Sequence, residues 1–215
     1  MGGAVDVAFF SLRTVFGPVL RAAFRLRAVG AEHVPASGPA ILAANHASFL
    51  DPILISLPTR RAVRFLVSNQ FYRDRRLHAV LRSLGTIPVG GDAGIVRSFR
   101  RVSKVIDGGG LLGIFPEGGI TRDGSMKPFR AGTAVLAMRL GVPVIPIHVH
   151  GTFEALPRYA KWPRFVPVTV QFGEPLAVPL LPKPSADEIA TLTESIRGSI
   201  ASLAARQTGR IAETA

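Results

Sequence analysis

Beyond Pro39 the chain alternates short runs of apolar residues with longer segments in which apolar residues recur every three or four positions. A short apolar run is typical of a buried strand, and the longer repeat is typical of an amphipathic helix. The predicted strands cover 40–44, 63–67, 86–89, 111–115, 144–150 and 166–172. The predicted helices cover 52–57, 71–84, 94–107 and 133–140, and a last helix begins at the capping-box sequence 185–188. This alternation predicts an α/β domain with a mixed, mostly parallel sheet flanked by helices.

The N-terminal segment has a different pattern, which predicts a basic amphipathic helix over 5–24 with a kink at Gly17 and Pro18. Such a helix either packs on the domain or lies in the headgroup region of a membrane as an anchor. We expect residues 1–27 to form this segment and 28–215 to form a single domain, because no internal repeat or low-complexity linker interrupts the chain. The apolar residues of the pattern are Phe9, Leu12, Phe16, Leu20 and Phe24, with arginines at 13, 21 and 25.

Composition adds a strong positive charge to this picture. The 215 residues include 26 Lys and Arg against 14 Asp and Glu, a net charge of +12, and the mean hydropathy is +0.31. A surface that is both basic and apolar suits anionic lipid, although nucleic acid also attracts such a charge. Eleven of the basic residues lie between Arg60 and Lys104, where the acids are Asp74 and Asp92. No base-stacking or groove-entering motif accompanies them, so we expect a phosphate-bearing partner, either lipid headgroups or a phosphorylated cofactor, and no nucleic acid.

Several features that would change the class of protein are missing from the sequence. It contains no cysteine, which excludes disulfides, cysteine metal ligands and a cysteine nucleophile. Arg13, Pro18 and Arg21 interrupt the N-terminal apolar segment well before the about 18 residues that a membrane-spanning helix needs. Asp6 precedes the short run 7–12, unlike a secretory signal. We expect a peripheral protein at the cytoplasmic face of the cell membrane, with no transmembrane helix and no signal peptide.

The sequence Asn-His-Ala-Ser-Phe-Leu-Asp-Pro begins at Asn45, directly after the apolar run 40–44. A turn between a strand and a helix lies at the carboxyl edge of a sheet, where α/β proteins bind their ligands. Asp51 before Pro52 also fits a helix N-cap, and His46 alone fits a structural histidine. With a spacing of five, the carboxylate can instead fold back onto Nδ1 of the imidazole and leave Nε2 to accept a proton. Together the pair indicates a general base for direct attack by an acceptor hydroxyl on an activated acyl group.

A second polar segment follows the predicted strand 111–115. Glu117 and three cations in this glycine-rich loop suit a polyhydroxyl or phosphate-bearing acceptor. A plain surface loop is the alternative, and the position of this segment at the end of a core strand disfavours it. The residues concerned are Glu117, Gly118, Arg122, Lys127 and Arg130.

At these residues the chain resembles the glycerolipid acyltransferases, the PlsC-like family that includes the 1-acylglycerol-3-phosphate acyltransferases. Residues His46, Asp51 and Glu117 match the family's motif residues, and the resemblance covers about residues 30–175. Four blocks occur in the family's order: N-H-x-x-x-x-D at 45–51, G-x-x-P-V at 85–89, F-P-E-G at 115–118 and V-P-V-I-P-I at 142–147.

The resemblance implies transfer of a fatty acyl chain from acyl-CoA or acyl carrier protein to the hydroxyl of a lysolipid, above all 1-acylglycerol-3-phosphate, which gives phosphatidate. His46 would act as the base and Asp51 as its partner. It implies no metal and no cofactor, because the acyl donor is itself a substrate. The resemblance also implies an acyl-binding groove that faces the membrane, and this favours the interpretation of residues 1–27 as a membrane anchor. The substrate-binding residues would be Asn45, Glu117, Gly118, Arg122, Lys127 and Arg130.

Two departures from the family pattern concern the acceptor. Phosphate-acceptor members usually have arginines where this chain has Gly91 and Ile120. Arg122, Lys127 or Arg130 can supply the missing charge from the same loop, since a long side chain shifts its charge by several ångströms. The alternatives are an acceptor such as a lyso-ornithine lipid, a larger lysophospholipid or a glycolipid, or a catalytically degenerate protein that binds anionic lipid.

Two further candidates are weaker. His148 and His150 alternate on one face of a predicted strand, which permits metal binding, but the sequence offers no convincing third ligand. We therefore expect them to pack at the strand end. Ser48 could accept an acyl group itself, but direct transfer requires fewer assumptions.

Overall fold

A seven-stranded sheet forms the centre of the molecule in a computed structural model that describes residues 2–73, 78–79, 81–82, 84–90 and 94–213. Its strand order is β1-β7-β6-β2-β5-β3-β4, and every neighbouring pair is parallel except β6 and β7. The predicted mixed, mostly parallel sheet is therefore confirmed. The strands are β1 Arg27–Val29, β2 Ala40–Ala44, β3 Val63–Ser68, β4 Ile87–Val89, β5 Leu111–Ile114, β6 Val144–His150 and β7 Thr169–Phe172.

Seven helices with defined bounds flank the sheet, residues 78–79 and 81–82 are also helical, and a short 3-10 turn covers Ala31–His33. The strand predicted over 166–172 is shorter because Pro167 has no N–H to contribute to a ladder. The helix predicted over 71–84 falls partly outside the described residues, as do Asp74, Arg75, Arg76, Gly91, Asp92 and the side chain of Arg97. The helices are α1 Gly2–Ala23, α2 Asp51–Ser56, α3 Asn69–Tyr72, α4 Gly94–Asp107, α5 Gly132–Leu140, α6 Thr152–Ala155 and α7 Ala186–Glu213.

The central strand β2 separates two hydrophobic cores. All five of its residues are buried, as in a strand covered on both faces. Leu42 points into the core formed with α2 and the end of α1, whereas Ile41 and Ala43 point into the core formed with α4, α5 and α7. Because β2 and β5 are parallel neighbours, the loops that leave their carboxyl ends emerge side by side at one edge.

The C-terminal half of α1 packs against the domain. Phe24 is buried in the core, and Arg13 and Arg21 donate hydrogen bonds to the carbonyl oxygens of Thr59 and Leu57. Val15, Phe16 and Val19 of the same helix remain exposed, while the side chains of Phe9 and Leu12 lie outside the described part. The packed interpretation therefore holds for one end of the helix. The membrane-anchor interpretation and the division into 1–27 and 28–215 stay predictions.

No helix in the described part of the chain carries an apolar stretch long enough to cross a bilayer.

Candidate active site

His46 and Asp51 meet in the turn between β2 and α2. The fully buried Asp51 carboxylate places Oδ2 2.9 Å from Nδ1 of His46. The same oxygen accepts the backbone N–H groups of Ala47 and Ser48 at 2.7 and 2.8 Å. Since α2 has no side-chain cap, Asp51 does not act as the N-cap that its position before Pro52 suggested. Its carboxylate instead folds the turn around itself and against the imidazole.

This contact determines which imidazole nitrogen carries the proton. A carboxylate only accepts hydrogen bonds, so Nδ1 of His46 donates to Asp51 and the neutral ring keeps its lone pair on Nε2. Nε2 has no hydrogen-bond partner among the described residues, and 15% of the His46 side chain is exposed. The ring can therefore accept a proton from a molecule that reaches it.

Aromatic stacking fixes the plane of the imidazole. The rings of His46 and Phe115 are stacked at a centroid distance of 3.8 Å, and Phe65 stacks behind Phe115 at 5.5 Å. A Cβ added at Gly113 of β5 would lie only 2.4 Å from the Phe65 ring. Gly113 therefore makes room for the stack that holds His46, a function that the sequence pattern did not reveal.

Glu117 joins the β2–α2 turn to the loop between β5 and α5, here called the second loop, through hydrogen bonds to backbone groups. One carboxylate oxygen accepts the N–H of His46 at 2.8 Å, and the other accepts the N–H of Lys127 at 3.0 Å. Burial raises the pKa of the Glu117 carboxyl above its ordinary value, although these backbone hydrogen bonds oppose the shift. Both oxygens are thus engaged in holding the loops together. The substrate contact expected of Glu117 stays a prediction.

Asn45 fastens the β2–α2 turn to β6 in a similar way. Its side-chain amide donates to the carbonyl oxygen of Val149 at 3.0 Å and accepts the Val149 N–H at 2.7 Å. This buried pairing imitates a rung of the sheet just beyond the end of β2. Ser48 is also fully buried and donates to the carbonyl oxygen of Leu156 at 2.7 Å. Both side chains thus hold the turn in place, and the substrate contact expected of Asn45 stays a prediction.

The three cations of the second loop have different surroundings. The Lys127 ammonium binds the carbonyl oxygens of Gly119 and Ile120 within the loop. Arg122 and Arg130 are exposed, and neither guanidinium forms a hydrogen bond or ion pair with a described residue. Of the three, the two arginines are therefore available to a ligand.

Gly118 shapes the position of Arg130. Its φ of +71° is in the left-handed region, and a Cβ there would come 2.7 Å from Nε of Arg130. The backbone N–H of Arg130 donates to the carbonyl oxygen of Pro116 at 2.9 Å. Without a side chain at 118, the guanidinium lies against the turn that contains Glu117.

Asp123 was not singled out from the sequence, yet it organises the tip of the second loop. One of its oxygens accepts hydrogen bonds from the Thr121 hydroxyl, from the Ser125 N–H and from the Ser125 hydroxyl. These bonds lower the pKa of Asp123 to about 2. The Thr121 N–H also donates to the carbonyl oxygen of His46 at 2.9 Å, which ties this tip to the β2–α2 turn.

A cavity of about 200 Å³ is bordered by the β2–α2 turn, the loop that follows β5 and α7. Nδ1 of His148 is buried and has no hydrogen-bond partner among the described residues. Burial lowers the pKa of this ring to about 4, with a smaller contribution from His150. The cavity is lined by Asn45, His46, Ala47, Glu117, Thr121, Gly124, Ser125, Met126, His148 and Ala204.

The rings of His148 and His150 lie 6.4 Å apart between centroids. Within the described ranges, no group of three or more His, Asp or Glu residues could hold a metal ion. The structure thus offers this pair no third protein ligand in that part of the chain.

Comparison with known proteins links this geometry to a family. A family model described as Acyltransferase matches residues 25–150. The chain is 29% identical over 131 residues to 1-acyl-sn-glycerol-3-phosphate acyltransferase BAT2, chloroplastic, of Brassica napus, which covers 60% of this chain and 38% of that protein. It is 23% identical over 176 residues to the 1-acyl-sn-glycerol-3-phosphate acyltransferase of Bacillus subtilis, with 80% and 84% covered.

The fold also has a solved counterpart. The crystal structure of the 1-acyl-sn-glycerophosphate acyltransferase PlsC from Thermotoga maritima superposes with a TM-score of 0.66 at 19% identity, over 91% of both chains. The chain spans 38% of the length of the Brassica napus relative and of an Arabidopsis thaliana relative. Because the family model matches more than half of the chain and includes the turn with His46 and Asp51, the protein belongs to the acyltransferase family.

Proposed function

We propose that the chain moves a fatty acyl group from acyl-CoA or acyl carrier protein to the hydroxyl of a lysolipid, with 1-acylglycerol-3-phosphate as the acceptor. The names of the Brassica napus and Bacillus subtilis relatives support this acceptor. The observation that carries the proposal is the 2.9 Å contact between the buried Asp51 carboxylate and Nδ1 of His46. In a chain of this family, that contact supplies a base for a hydroxyl nucleophile.

In the proposed reaction, Nε2 of His46 takes the proton of the acceptor hydroxyl as its oxygen attacks the thioester carbonyl carbon. The C–O bond forms, and the carbonyl oxygen carries the negative charge of a tetrahedral intermediate. When the intermediate collapses, the C–S bond breaks and the thiol leaves with the proton returned by His46. The ester and the free thiol are the products, and His46 ends in its starting state.

Asp51 contributes to this cycle in two ways. Its hydrogen bond keeps the proton of the neutral ring on Nδ1, so that the lone pair is on Nε2. Its negative charge stabilises the imidazolium that forms after proton transfer. Both effects are those of a carboxylate, whose Oδ2 also accepts the backbone N–H groups of Ala47 and Ser48.

Arg130 and Arg122 are the proposed phosphate-binding groups, in place of the arginines replaced by Gly91 and Ile120. Lys127 is a weaker candidate, since its ammonium already binds two loop carbonyls. A guanidinium can bind two phosphate oxygens at once, and Arg130 lies against the turn next to the catalytic residues. We therefore expect Arg130 to contribute more to acceptor binding than Lys127.

The proposed site of action is a membrane surface, because the acceptor is itself a lipid. The exposed apolar residues of α1 support that location, and the cytoplasmic face stays a prediction from the sequence.

A transfer assay with a panel of lysolipids tests the proposal. Labelled acyl-CoA and acyl carrier protein would be offered with lysophosphatidate, lysophosphatidylcholine, lyso-ornithine lipid and a glycolipid. We expect transfer to lysophosphatidate, and Arg130→Gln should raise its KM by about tenfold or more. Arg139→Gln is the matched control, because Arg139 is an exposed arginine on α5 outside the two loops.

Each alternative has its own outcome. Transfer only to an acceptor without a phosphate monoester would contradict 1-acylglycerol-3-phosphate as the acceptor, but it would still support the assignment as an acyltransferase. No transfer with either donor would contradict the enzyme assignment and favour the catalytically degenerate lipid-binding protein.

A further inference from the structure

The loop between α6 and β7, residues 156–168, exposes three large aromatic side chains. The exposed fractions are 73% for Tyr159, 83% for Trp162 and 64% for Phe165. Single exposed apolar residues are ordinary on a protein surface, but three large aromatic rings within seven residues are not. Clusters of this kind mark surfaces that contact a partner or a membrane.

Cations are interleaved with these aromatics. Arg158, Lys161 and Arg164 are exposed, and none of these side chains forms a hydrogen bond or ion pair with a described residue. The loop contains no Asp or Glu. Trp and Tyr favour the boundary between water and lipid, and Lys and Arg are attracted by anionic headgroups. The composition of the loop therefore matches the headgroup layer of an anionic membrane.

The backbone holds this loop in shape before any partner binds. The Arg164 N–H donates to the carbonyl oxygen of Ala155 at 2.7 Å and closes the loop at its base. The Ala160 N–H donates to the carbonyl oxygen of Pro157 at 2.9 Å and forms a turn inside it. An ordered loop loses less conformational entropy on binding than a flexible one.

The loop begins beside the catalytic turn and ends beside α1. The buried hydroxyl of Ser48 donates to the carbonyl oxygen of Leu156 at 2.7 Å. At the other end, the Phe165 ring lies 5.6 Å from the Phe24 ring, next to the last turn of α1. A membrane contact through the loop therefore also brings the catalytic turn close to the bilayer.

We propose that the α6–β7 loop is a membrane-binding element separate from α1. Tyr159, Trp162 and Phe165 enter the headgroup layer of an anionic bilayer, while Arg158, Lys161 and Arg164 bind lipid phosphates. A bilayer fits better than an acidic protein, because residues 161–165 are five exposed residues in succession that offer rings and charges to a broad surface. This inference does not depend on acyl transfer, because binding is measured without an acyl donor.

Trp162 is the only tryptophan of the chain, so intrinsic tryptophan fluorescence reports on this loop alone. The full chain would be titrated with phosphatidylcholine vesicles that contain or lack phosphatidylglycerol. We expect the emission to shift to shorter wavelength with the anionic vesicles. Lipids brominated near the headgroup end of the acyl chain should quench it.

Vesicle flotation of variants measures the contribution of each kind of side chain. Trp162→Ser should weaken binding to anionic vesicles by about tenfold, and Lys161→Gln by about threefold. Leu180→Ser is the matched control. Leu180 is also exposed, at 64%, but it packs beside Gly141. Gly141 precedes the start of β6, and the α6–β7 loop comes after the end of β6, so the two sites are at opposite ends of this strand. This control should bind like the unmodified chain.

Four results would overturn the proposal. One is flotation with anionic vesicles while the Trp162 emission stays unshifted and unquenched, since α1 would then bind alone. Another is equal binding by Trp162→Ser and Leu180→Ser. The third is no binding to anionic vesicles. The last is an emission shift caused by an acidic protein such as acyl carrier protein and not by vesicles, which would identify a protein-docking surface.

Discussion

At the scale of single residues, a few carboxylate and amide side chains hold the site together by hydrogen bonds to backbone groups. Asp51 shapes the turn and orients the imidazole, and Glu117 connects that turn to the second loop. The spacing of His46 and Asp51 was enough to expect their contact. The bonds of Glu117 and Asn45 could not be expected, because a backbone N–H is present at every residue and leaves no signal in the sequence.

Glu117→Gln tests the bridging function of that carboxylate. An amide side chain has one acceptor oxygen, so either the His46 N–H or the Lys127 N–H would face the NH₂ group. We expect the free energy of unfolding to fall by about 1–3 kcal/mol, and turnover to fall as the loops separate. Urea titration and the transfer assay measure the two effects. The exposed Glu32→Gln serves as control, and equal behaviour of the two variants would contradict the bridge.

Gly113→Ala tests the ring stack behind His46. The new Cβ would displace Phe65 and, through Phe115, the imidazole. We expect a loss of stability of about 1–3 kcal/mol from overpacking, together with reduced turnover. Adding Phe65→Leu should restore part of the stability and part of the turnover, because the smaller side chain at 65 makes room for the new Cβ at 113. Full activity in Gly113→Ala alone would show that the stack does not position the base.

At the scale of secondary-structure elements, the sequence predicted β2, α4 and β6 with the bounds that the structure has. These segments are long or fully buried, so their apolar pattern is strong. The strand β1 was missed because its three residues are all exposed and show no alternation. The four-residue α6 is too short for a periodic pattern. The aromatic residues of the α6–β7 loop occur among prolines and outside any helical or strand repeat, so no apolar pattern distinguishes this segment in the sequence.

His148 on β6 makes the free energy of unfolding depend on pH. His148 has a pKa of about 4 in the folded chain, against an ordinary value of 6.5 that applies when it unfolds. Between these values the unfolded chain binds the additional proton, so stability falls as pH decreases from about 6.5 to 4. The complete effect is about 3 kcal/mol.

Urea titrations across that pH range, with His148→Gln beside the exposed His150→Gln, isolate this contribution. The drop in stability should be smaller in His148→Gln than in the unmodified chain. His150→Gln should show most of the drop in stability that the unmodified chain shows. Parallel stability curves for the unmodified chain and His148→Gln would contradict the assignment.

At the scale of the whole molecule, the parallel order of the sheet explains where the chemistry lies. The parallel neighbours β2 and β5 bring the turn with His46 and Asp51 and the loop with Arg122 and Arg130 to the same edge. The sequence indicated this edge through its strand-turn-helix order. It could not indicate that Lys127 binds loop carbonyls while Arg122 and Arg130 remain available, because that difference depends on the path of the loop.

The most direct measurement is the rate of acyl transfer by His46→Gln in vesicles that contain lysophosphatidate and acyl-CoA. The control is His150→Gln, because His150 is an exposed histidine that does not belong to the proposed His46–Asp51 pair. Circular dichroism and vesicle flotation would establish that each variant folds and binds lipid. Loss of a general base should lower kcat by about 10²-fold to 10⁴-fold in His46→Gln and leave His150→Gln near the unmodified rate. A folded His46→Gln that turns over within about threefold of the unmodified chain would contradict His46 as the base.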